Sequence, residues 1–197
     1  MAAYMKGIAP FFGVPAPQRR VIQREVFAGW NPDERDAIEF ATGAWRVDER
    51  ELQYAGCDLL ERTVQRASAE LLPTLEQLIT TKSWWDTVDA LARSVGGLVL
   101  RYPDLGNEMD RWIGSDDIWV ARVAIIHQLR FKTATNADRL FGYCERRASD
   151  TEFFVRKAIG WALREYAKTD PNAVREFVTT HERSLSGLSK REALKHL

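Results

Sequence analysis

The segment at residues 82–90, KSWWDTVDA, places a tryptophan and a carboxylate where they could do chemistry together. Trp85 and Asp89 are four residues apart, so on a helix they share one face, one turn apart. An indole beside a carboxylate is a poor pair for a hydrophobic core. Both groups attract positive charge on a bound molecule, so the pair is a candidate site for a group that becomes cationic.

A structural interpretation of the same segment stays open. In it Trp84 is buried, Trp85 is half-buried and Asp89 is a solvated charge. The two tryptophans point about 100° apart on a helix, so the core does not readily take both. Ser83 is predicted as the N-cap, with Asp86 three residues on, where its carboxylate can reach back to the first turn.

A second set of candidate residues lies in the C-terminal half. Arg164 stands three residues after Trp161, on the same helical face, and Arg122 precedes both. The planar fork of arginine suits phosphate because it bonds two oxygens at once. If the helices stack in register, two indoles, one carboxylate and two guanidiniums converge, which suits a phosphodiester-linked sugar. Trp161 equally fits a core aromatic between helices.

The elements that must position these residues are predicted to be helices. Apolar residues recur at helical spacing, and no period-2 strand stands out. Asn31 followed by Pro32 predicts a helix start with Asn31 as the N-cap. Most connections are short enough for antiparallel neighbours. The predicted segments are residues 17–29, 31–45, 48–67, 70–81, 83–101, 104–113, 116–132, 135–148, 151–168, 171–180 and 189–197.

The helical segments repeat. Five alanines recur at intervals of 35, 34, 34 and 35 residues, and a small residue lets two helices approach closely. They are Ala55, Ala90, Ala124, Ala158 and Ala193. A period of this size, built from paired helices, predicts an all-α protein with an α-solenoid fold, an alpha-alpha superhelix. Its concave face is the natural surface for a ligand.

An arginine stands two residues before three of these alanines, as Arg122, Arg156 and Arg191. One interpretation is that each side chain bonds a neighbouring loop. The other is a ladder of cations along the concave face, which would suit a phosphate backbone.

The charge of the chain is balanced, with 28 Lys and Arg against 28 Asp and Glu. This argues against a simple polycation that binds nucleic acid. Residues 1–99 carry 11 basic against 14 acidic side chains, and residues 100–197 carry 17 against 14. The mild surplus allows a basic face in the C-terminal half.

The remaining composition indicates an intracellular, cytoplasmic protein. No run of 18 apolar residues could span a membrane, and the N-terminus lacks the features of a signal peptide. Cys57 and Cys144 are isolated, and the three histidines form no ligand motif, so we expect reduced core thiols and no metal.

Several blocks of the sequence resemble the AlkD family of alkylpurine DNA glycosylases, and the likeness covers nearly the whole chain. The long blocks are KSWWDTVDA, IWVARVAI at residues 118–125 and KAIGWALREYAK at residues 157–168. Shorter ones are YMK at 4–6, FGVPAPQRR at 12–20 and LSKREALKH at 188–196. The resemblance implies one HEAT-like repeat domain over residues 1–197, whose concave face binds double-stranded DNA.

The resemblance also implies roles for individual residues. Asp89 matches the family's catalytic carboxylate, and Trp85 and Trp161 match two tryptophans that contact the deoxyribose of the lesion. Arg122 and Arg164 match arginines that engage DNA.

Tyr4 matches a tyrosine of the family that faces DNA. Only three residues precede it, where the family has a further helical segment, so we expect a shortened form or a misassigned start. Either would affect how Tyr4 is anchored.

The implied reaction agrees with the chemistry of these groups. The family excises purines alkylated at N3 or N7 without extruding the base, unlike most glycosylases. Such a purine is already cationic, so it leaves without a general acid, and Asp89 would stabilise the oxocarbenium-like sugar. No lysine motif demands a Schiff base, so we expect a monofunctional hydrolase without cofactor, monomeric and associated with the nucleoid when bound.

Two other functions are compatible with a helical-repeat fold. One is a non-catalytic protein that recognises bent or branched DNA; retention of Asp89 speaks against it. The other is a protein-interaction scaffold, which predicts no salt-dependent DNA binding.

Overall fold

The computed structural model describes residues 4–197, which contain eleven α-helices, three short 3₁₀ turns and no strand. Each predicted segment overlaps one helix. None of the helices described there is both long and apolar enough to cross a membrane. The helices are α1 (Ala16–Val26), α2 (Glu34–Arg46), α3 (Arg50–Thr63), α4 (Leu71–Thr80), α5 (Trp85–Arg101), α6 (Gly106–Trp112), α7 (Ile118–Ile126), α8 (Ala137–Arg146), α9 (Phe153–Tyr166), α10 (Pro171–Thr180) and α11 (Gly187–Ala193).

The repeat predicted from the alanines is confirmed. All five are buried, and they lie on α3, α5, α7, α9 and α11, the alternate helices of the chain. The all-helical repeat fold is therefore as predicted. By internal contacts the chain forms two compact units, Met1–Leu98 and Val99–Leu197. The single domain over residues 1–197 stays a prediction.

The predicted start of α2 is wrong by two residues. Asp33, not Asn31, is the N-cap, and its Oδ1 accepts from the backbone N–H of Asp36 at 2.8 Å. Asp36 in turn accepts from the backbone N–H of Asp33 at 3.1 Å. This reciprocal box satisfies two backbone donors at the start of the helix.

In the first unit, α3 anchors the segment that precedes α1. The buried carboxylate of Glu51 accepts from the backbone N–H groups of Phe12, Gly13 and Val14, at 3.1, 2.9 and 3.2 Å. Gly13 has a φ of +84°, a conformation that glycine adopts at little cost. Arg19 adds an ion pair from α1 to Asp58 of α3 at 2.8 Å. The FGVPAPQRR block therefore folds onto α3.

In the second unit, α11 packs closely on α9 at Gly160. A Cβ atom on this glycine would lie 2.4 Å from Glu192 Cβ and 2.9 Å from the Ser189 carbonyl oxygen. Ser189 is buried, and its hydroxyl donates to the Arg156 carbonyl at 2.9 Å. The glycine of the KAIGWALREYAK block is thus required by the approach of a second helix.

Substitution of Gly160 by alanine should destabilise the protein by about 1–3 kcal/mol, because α11 must shift to admit the methyl group. Gly142 of α8 is the matched control, since nothing lies within 4 Å of a Cβ there. Gly142→Ala should stabilise by roughly 0.5–1 kcal/mol through helix propensity. Urea denaturation of both variants checks this; a stabilising Gly160→Ala would contradict the close packing.

His127 lies in the core just after α7. It is 4% exposed, and its Nδ1 bonds the Ala124 carbonyl at 2.7 Å. Burial lowers the pKa of the imidazole to about 4, although the Ala124 carbonyl opposes the shift. The folded protein therefore keeps this side chain neutral at pH values where an unfolded chain would protonate it.

Because of His127, the free energy of unfolding should decrease as the pH falls below about 6.5. Between the unfolded pKa of 6.5 and the folded pKa of about 4, only the unfolded chain takes up this proton. From pH 8 to pH 5 the loss should be about 2 kcal/mol. The non-titrating variant His127→Gln should lack this part of the slope. Urea denaturation at both pH values checks it, and equal slopes would show that the histidine is not the cause.

Candidate functional site

Three of the predicted site residues belong to the first unit. Trp85 is the first residue of α5, and Asp89 lies one turn along the same helix; both are half-buried. The exposed ring of Tyr4 meets the Trp85 ring edge-on, with the centroids 6.2 Å apart and an interplanar angle of 84°. The structure therefore brings Tyr4 and Trp85 together, with Asp89 beside them on α5.

The carboxylate of Asp86, for which the sequence predicts a capping role, holds the start of α5. Asp86 accepts from Arg50 Nη2 at 2.6 Å and Nε at 3.0 Å, and from the Tyr54 hydroxyl at 2.5 Å. The predicted capping role of Asp86 is therefore wrong. The Ser83 cap is wrong too, because α5 begins at Trp85 and Ser83 lies one residue before the N-cap position; its hydroxyl donates to the Ile79 carbonyl at 2.6 Å.

The partners of Asp86 bind it from α3. Arg50 is fully buried and also donates to the Lys82 carbonyl and the Thr87 hydroxyl, both at 2.8 Å. Burial, followed by the hydrogen bond to Asp86, raises the pKa of Tyr54. This hydroxyl therefore stays protonated as a donor. The network ties the first turn of α5, and so Trp85, to α3.

Sequence reasoning missed Arg50 and Tyr54, although a weak signal was present. An arginine four residues before a tyrosine recurs as Arg139 and Tyr143 on α8. Those side chains bind Asp110 of α6 in the same way, with Arg139 Nη2 at 2.9 Å and the Tyr143 hydroxyl at 2.5 Å. In both places an arginine and a tyrosine of one helix bind an aspartate of another helix. We call this arrangement a clamp, and its role is structural.

Asp86→Asn should destabilise the protein by about 3–5 kcal/mol, because it leaves the buried Arg50 charge without its counterion. The two side chains are 8% and 1% exposed. Asp48→Asn is the control, since Asp48 pairs with Lys82 at the surface and should cost less than about 1 kcal/mol. Similar urea midpoints for the two variants would contradict the proposed difference.

The second unit holds Arg122, whose side chain is largely enclosed. It is 3% exposed, its Nη1 donates to the Phe154 carbonyl at 2.5 Å, and Cζ lies 5.9 Å from the Phe154 ring centroid. Arg156 likewise donates to the Asp150 carbonyl at 2.6 Å. The Arg156 contact fits the loop-bonding interpretation of the repeated arginines, whereas Arg122 bonds the first turn of α9 and Arg191 is exposed. The DNA contact of Arg122 stays a prediction.

Trp161 and Arg164 lie on α9 in the same unit. Trp161 is half-buried, and Arg164 donates from Nη1 to Glu192 Oε2 of α11 at 2.5 Å. Lys157 donates to the other oxygen of Glu192 at 2.7 Å. The sequence did not mark Lys157 or Glu192, because only the fold brings α11 to this face of α9.

The candidate residues present hydrogen-bonding, aromatic and charged groups rather than metal ligands. Within residues 4–197 no cluster of three or more His, Cys, Asp or Glu is placed to hold a metal ion. Both cysteines are buried, and burial raises the pKa of each thiol, so neither is a reactive thiolate at neutral pH.

Known proteins with related sequences and folds agree on one family. The family described as DNA alkylation repair enzyme matches residues 1–197. A structure described as a predicted DNA alkylation repair enzyme from Enterococcus faecalis is 34% identical, with a TM-score of 0.91. The alignment covers 100% of this chain and 92% of that one.

Two more distant structures share the fold. AlkD2 from Streptococcus mutans is 18% identical with a TM-score of 0.72, over 100% of this chain and 96% of that one. The smu.31 protein from Streptococcus mutans UA159 is 17% identical with a TM-score of 0.69, over 92% and 96%. No curated protein matches the sequence. The full-length match and the 34% identity show that this chain belongs to the DNA alkylation repair enzyme family.

Proposed function

We propose that this protein is a monofunctional DNA glycosylase of base-excision repair. It hydrolyses the N-glycosidic bond of cationic N3- or N7-alkylated purines in duplex DNA, without extruding the base. The family membership supports a role in the repair of alkylated DNA. The observation that carries the finer proposal is Asp89, a half-buried carboxylate one turn after Trp85 on a helix whose start is clamped.

The leaving group explains why few catalytic groups are needed. An N3- or N7-alkylated purine carries a formal positive charge, so it departs as a neutral base with the electron pair of the C1′–N bond. The sugar then passes through an oxocarbenium-like state, to which water adds at C1′ with loss of one proton. The protein must stabilise this cation and place the water, but need not protonate the base.

Asp89 is assigned both of these tasks. A carboxylate held near C1′ stabilises the developing positive charge and orients a water molecule for attack. The face of the Trp85 indole favours the same charge. Tyr4 packs edge-on against Trp85 and would hold the indole while offering its own exposed hydroxyl to DNA.

Asp86 and Asp89 divide positioning and chemistry between them. Asp86 is engaged by Arg50 and Tyr54 inside the first unit, which leaves it no route to a substrate. Asp89 follows three residues later on the helix that this clamp holds. A fixed helix start costs no reorganisation during the reaction, and preorganisation of this kind is where electrostatic catalysis gains most.

The second unit is assigned a part in holding DNA. Trp161 is proposed to contact the deoxyribose of the lesion, and Arg164 to contact the DNA backbone. Arg122 is proposed to engage DNA beside the site, although its Nη1 is already committed to the Phe154 carbonyl.

Asp89→Asn should lower base release by about 30- to 900-fold, equivalent to about 2–4 kcal/mol of transition-state stabilisation. The loss is expected because an amide cannot stabilise the oxocarbenium charge as a carboxylate does. The measurement is single-turnover release of N7-methylguanine from a duplex that contains one such base, at saturating protein.

The control is Asp104→Asn, which removes the same charge from an exposed position and should release base at the wild-type rate. DNA binding by each variant is measured in parallel. Wild-type protein that binds the duplex in a salt-dependent manner without releasing base would replace the glycosylase by a DNA-structure-binding protein. Absence of both binding and release would favour a protein-interaction scaffold.

A further inference from the structure

One carboxylate of α11 holds two cations of α9 on either side of Trp161. Glu192 Oε1 accepts from Lys157 Nζ at 2.7 Å, and Oε2 accepts from Arg164 Nη1 at 2.5 Å. Lys157 stands four residues before Trp161 and Arg164 three residues after it, so the three share one helical face. Lys157 and Glu192 lie in two of the blocks that resemble the AlkD family, but the resemblance assigns neither of them a role.

The packing of α11 on α9 places the Glu192 carboxylate between the two cations. Gly160, next to Trp161, lacks the Cβ that would collide with Glu192 Cβ at 2.4 Å. The buried Ser189 hydroxyl, bonded to the Arg156 carbonyl, fixes α11 one turn earlier. The Glu192 side chain is 17% exposed, whereas that of Lys157 is 39% exposed. The Glu192 carboxylate is thus largely shielded from solvent, whereas the Lys157 side chain is more accessible to a ligand.

The charges of the cluster do not cancel. Two cations share one anion, which leaves a formal charge of +1 on this face of α9. The hydrogen bond from Lys157 lowers the pKa of Glu192 against the opposing effect of burial, so the carboxylate stays ionised at neutral pH. Lysine has three donors and arginine five, and each spends one on Glu192 in the contacts of residues 4–197.

We infer that Lys157 and Arg164 form a binding site for a DNA phosphate beside Trp161, and that Glu192 is the positioning residue that orients both cations. This inference rests on the proposed DNA-binding function. Long cationic side chains lose rotamer freedom when they bind, so a carboxylate that has already ordered them reduces that cost. Glu192 accordingly favours the binding of an anion although it carries a negative charge itself.

The positioning role of Glu192 predicts a change in DNA affinity opposite in sign to the change that simple electrostatics predicts. If Glu192 only screened its neighbours, Glu192→Gln would remove a negative charge close to DNA and tighten binding. If Glu192 orients the two cations, the same variant should weaken binding by about tenfold, because two side chains must then be ordered on binding.

The experiment measures binding of a short fluorescein-labelled duplex by fluorescence anisotropy over a series of KCl concentrations. Glu192→Gln should bind about tenfold more weakly than wild type. Lys157→Gln should reduce the slope of log K against log salt by about 0.9, the value for one lost phosphate contact. In the double variant the two effects should be less than additive, because part of the Glu192 effect acts through Lys157.

Glu165→Gln is the matched control. It removes the same charge from α9 and frees Lys168, which Glu165 binds at 2.7 Å, but it leaves the Glu192 cluster intact. Its affinity should equal or slightly exceed that of wild type. Urea denaturation establishes that each variant is folded at the temperature of the binding assay.

Two results would overturn the inference. One is a Glu192→Gln variant that binds as tightly as wild type or more tightly; the other is a Lys157→Gln variant with the wild-type salt slope. Wild-type protein that binds no duplex would overturn both this inference and the proposed function. Wild-type protein that binds but releases no base would overturn only the glycosylase proposal, and the two variants would still decide the role of Glu192.

Discussion

The buried ion pair between Arg50 and Asp86 is the interaction on which the first unit depends. Removing both charges from water is costly, and the cost is recovered only when every remaining donor finds an acceptor. Here the Lys82 carbonyl, the Thr87 hydroxyl and the Gln53 side-chain oxygen take the other three donors of Arg50, while Tyr54 donates to Asp86. All of these groups flank the start of α5, so Trp85 and Asp89 take their positions from α3.

The second unit fixes its candidate residues by a steric constraint instead. At Gly160 the backbones of α9 and α11 approach so closely that a side chain could not fit without a shift. The approach delivers Glu192 to the face of α9 that carries Trp161 and Arg164. An ion pair in one unit and a missing side chain in the other thus have the same effect, which is to order the side chains of candidate residues.

The elements were predictable from the sequence because their signals are local. Helical spacing predicted each of the eleven helices found in residues 4–197, and five recurring alanines predicted the repeat. Two predicted N-caps were wrong. At α2 both Asn31 and Asp33 are suitable N-cap residues, and Asp33 is the cap because it forms the reciprocal box with Asp36. At α5 the Asp86 carboxylate binds Arg50 instead of capping the helix. This contact joins residues 36 apart in the sequence, so no local signal indicates it.

The candidate site was predictable only where a residue was unusual in its own segment. Trp85, Asp89 and Trp161 stand out by type and spacing, and their roles follow from the resemblance. Glu192 and Lys157 look like ordinary surface charges in the sequence. Their pairing depends on a contact between residues 35 apart, which becomes visible only once α11 lies on α9.

The balanced charge of the chain is compatible with DNA binding because position matters more than number. Asp86 is paired with Arg50 and Asp110 with Arg139, so these carboxylates add little negative potential outside their units. Glu192 is shared between two cations and leaves a positive surplus on α9. Residues 100–197 also carry three more basic than acidic side chains, 17 against 14. A protein without net charge can therefore present a locally cationic surface, provided that its anions are either paired within the fold or used to hold the cations in place.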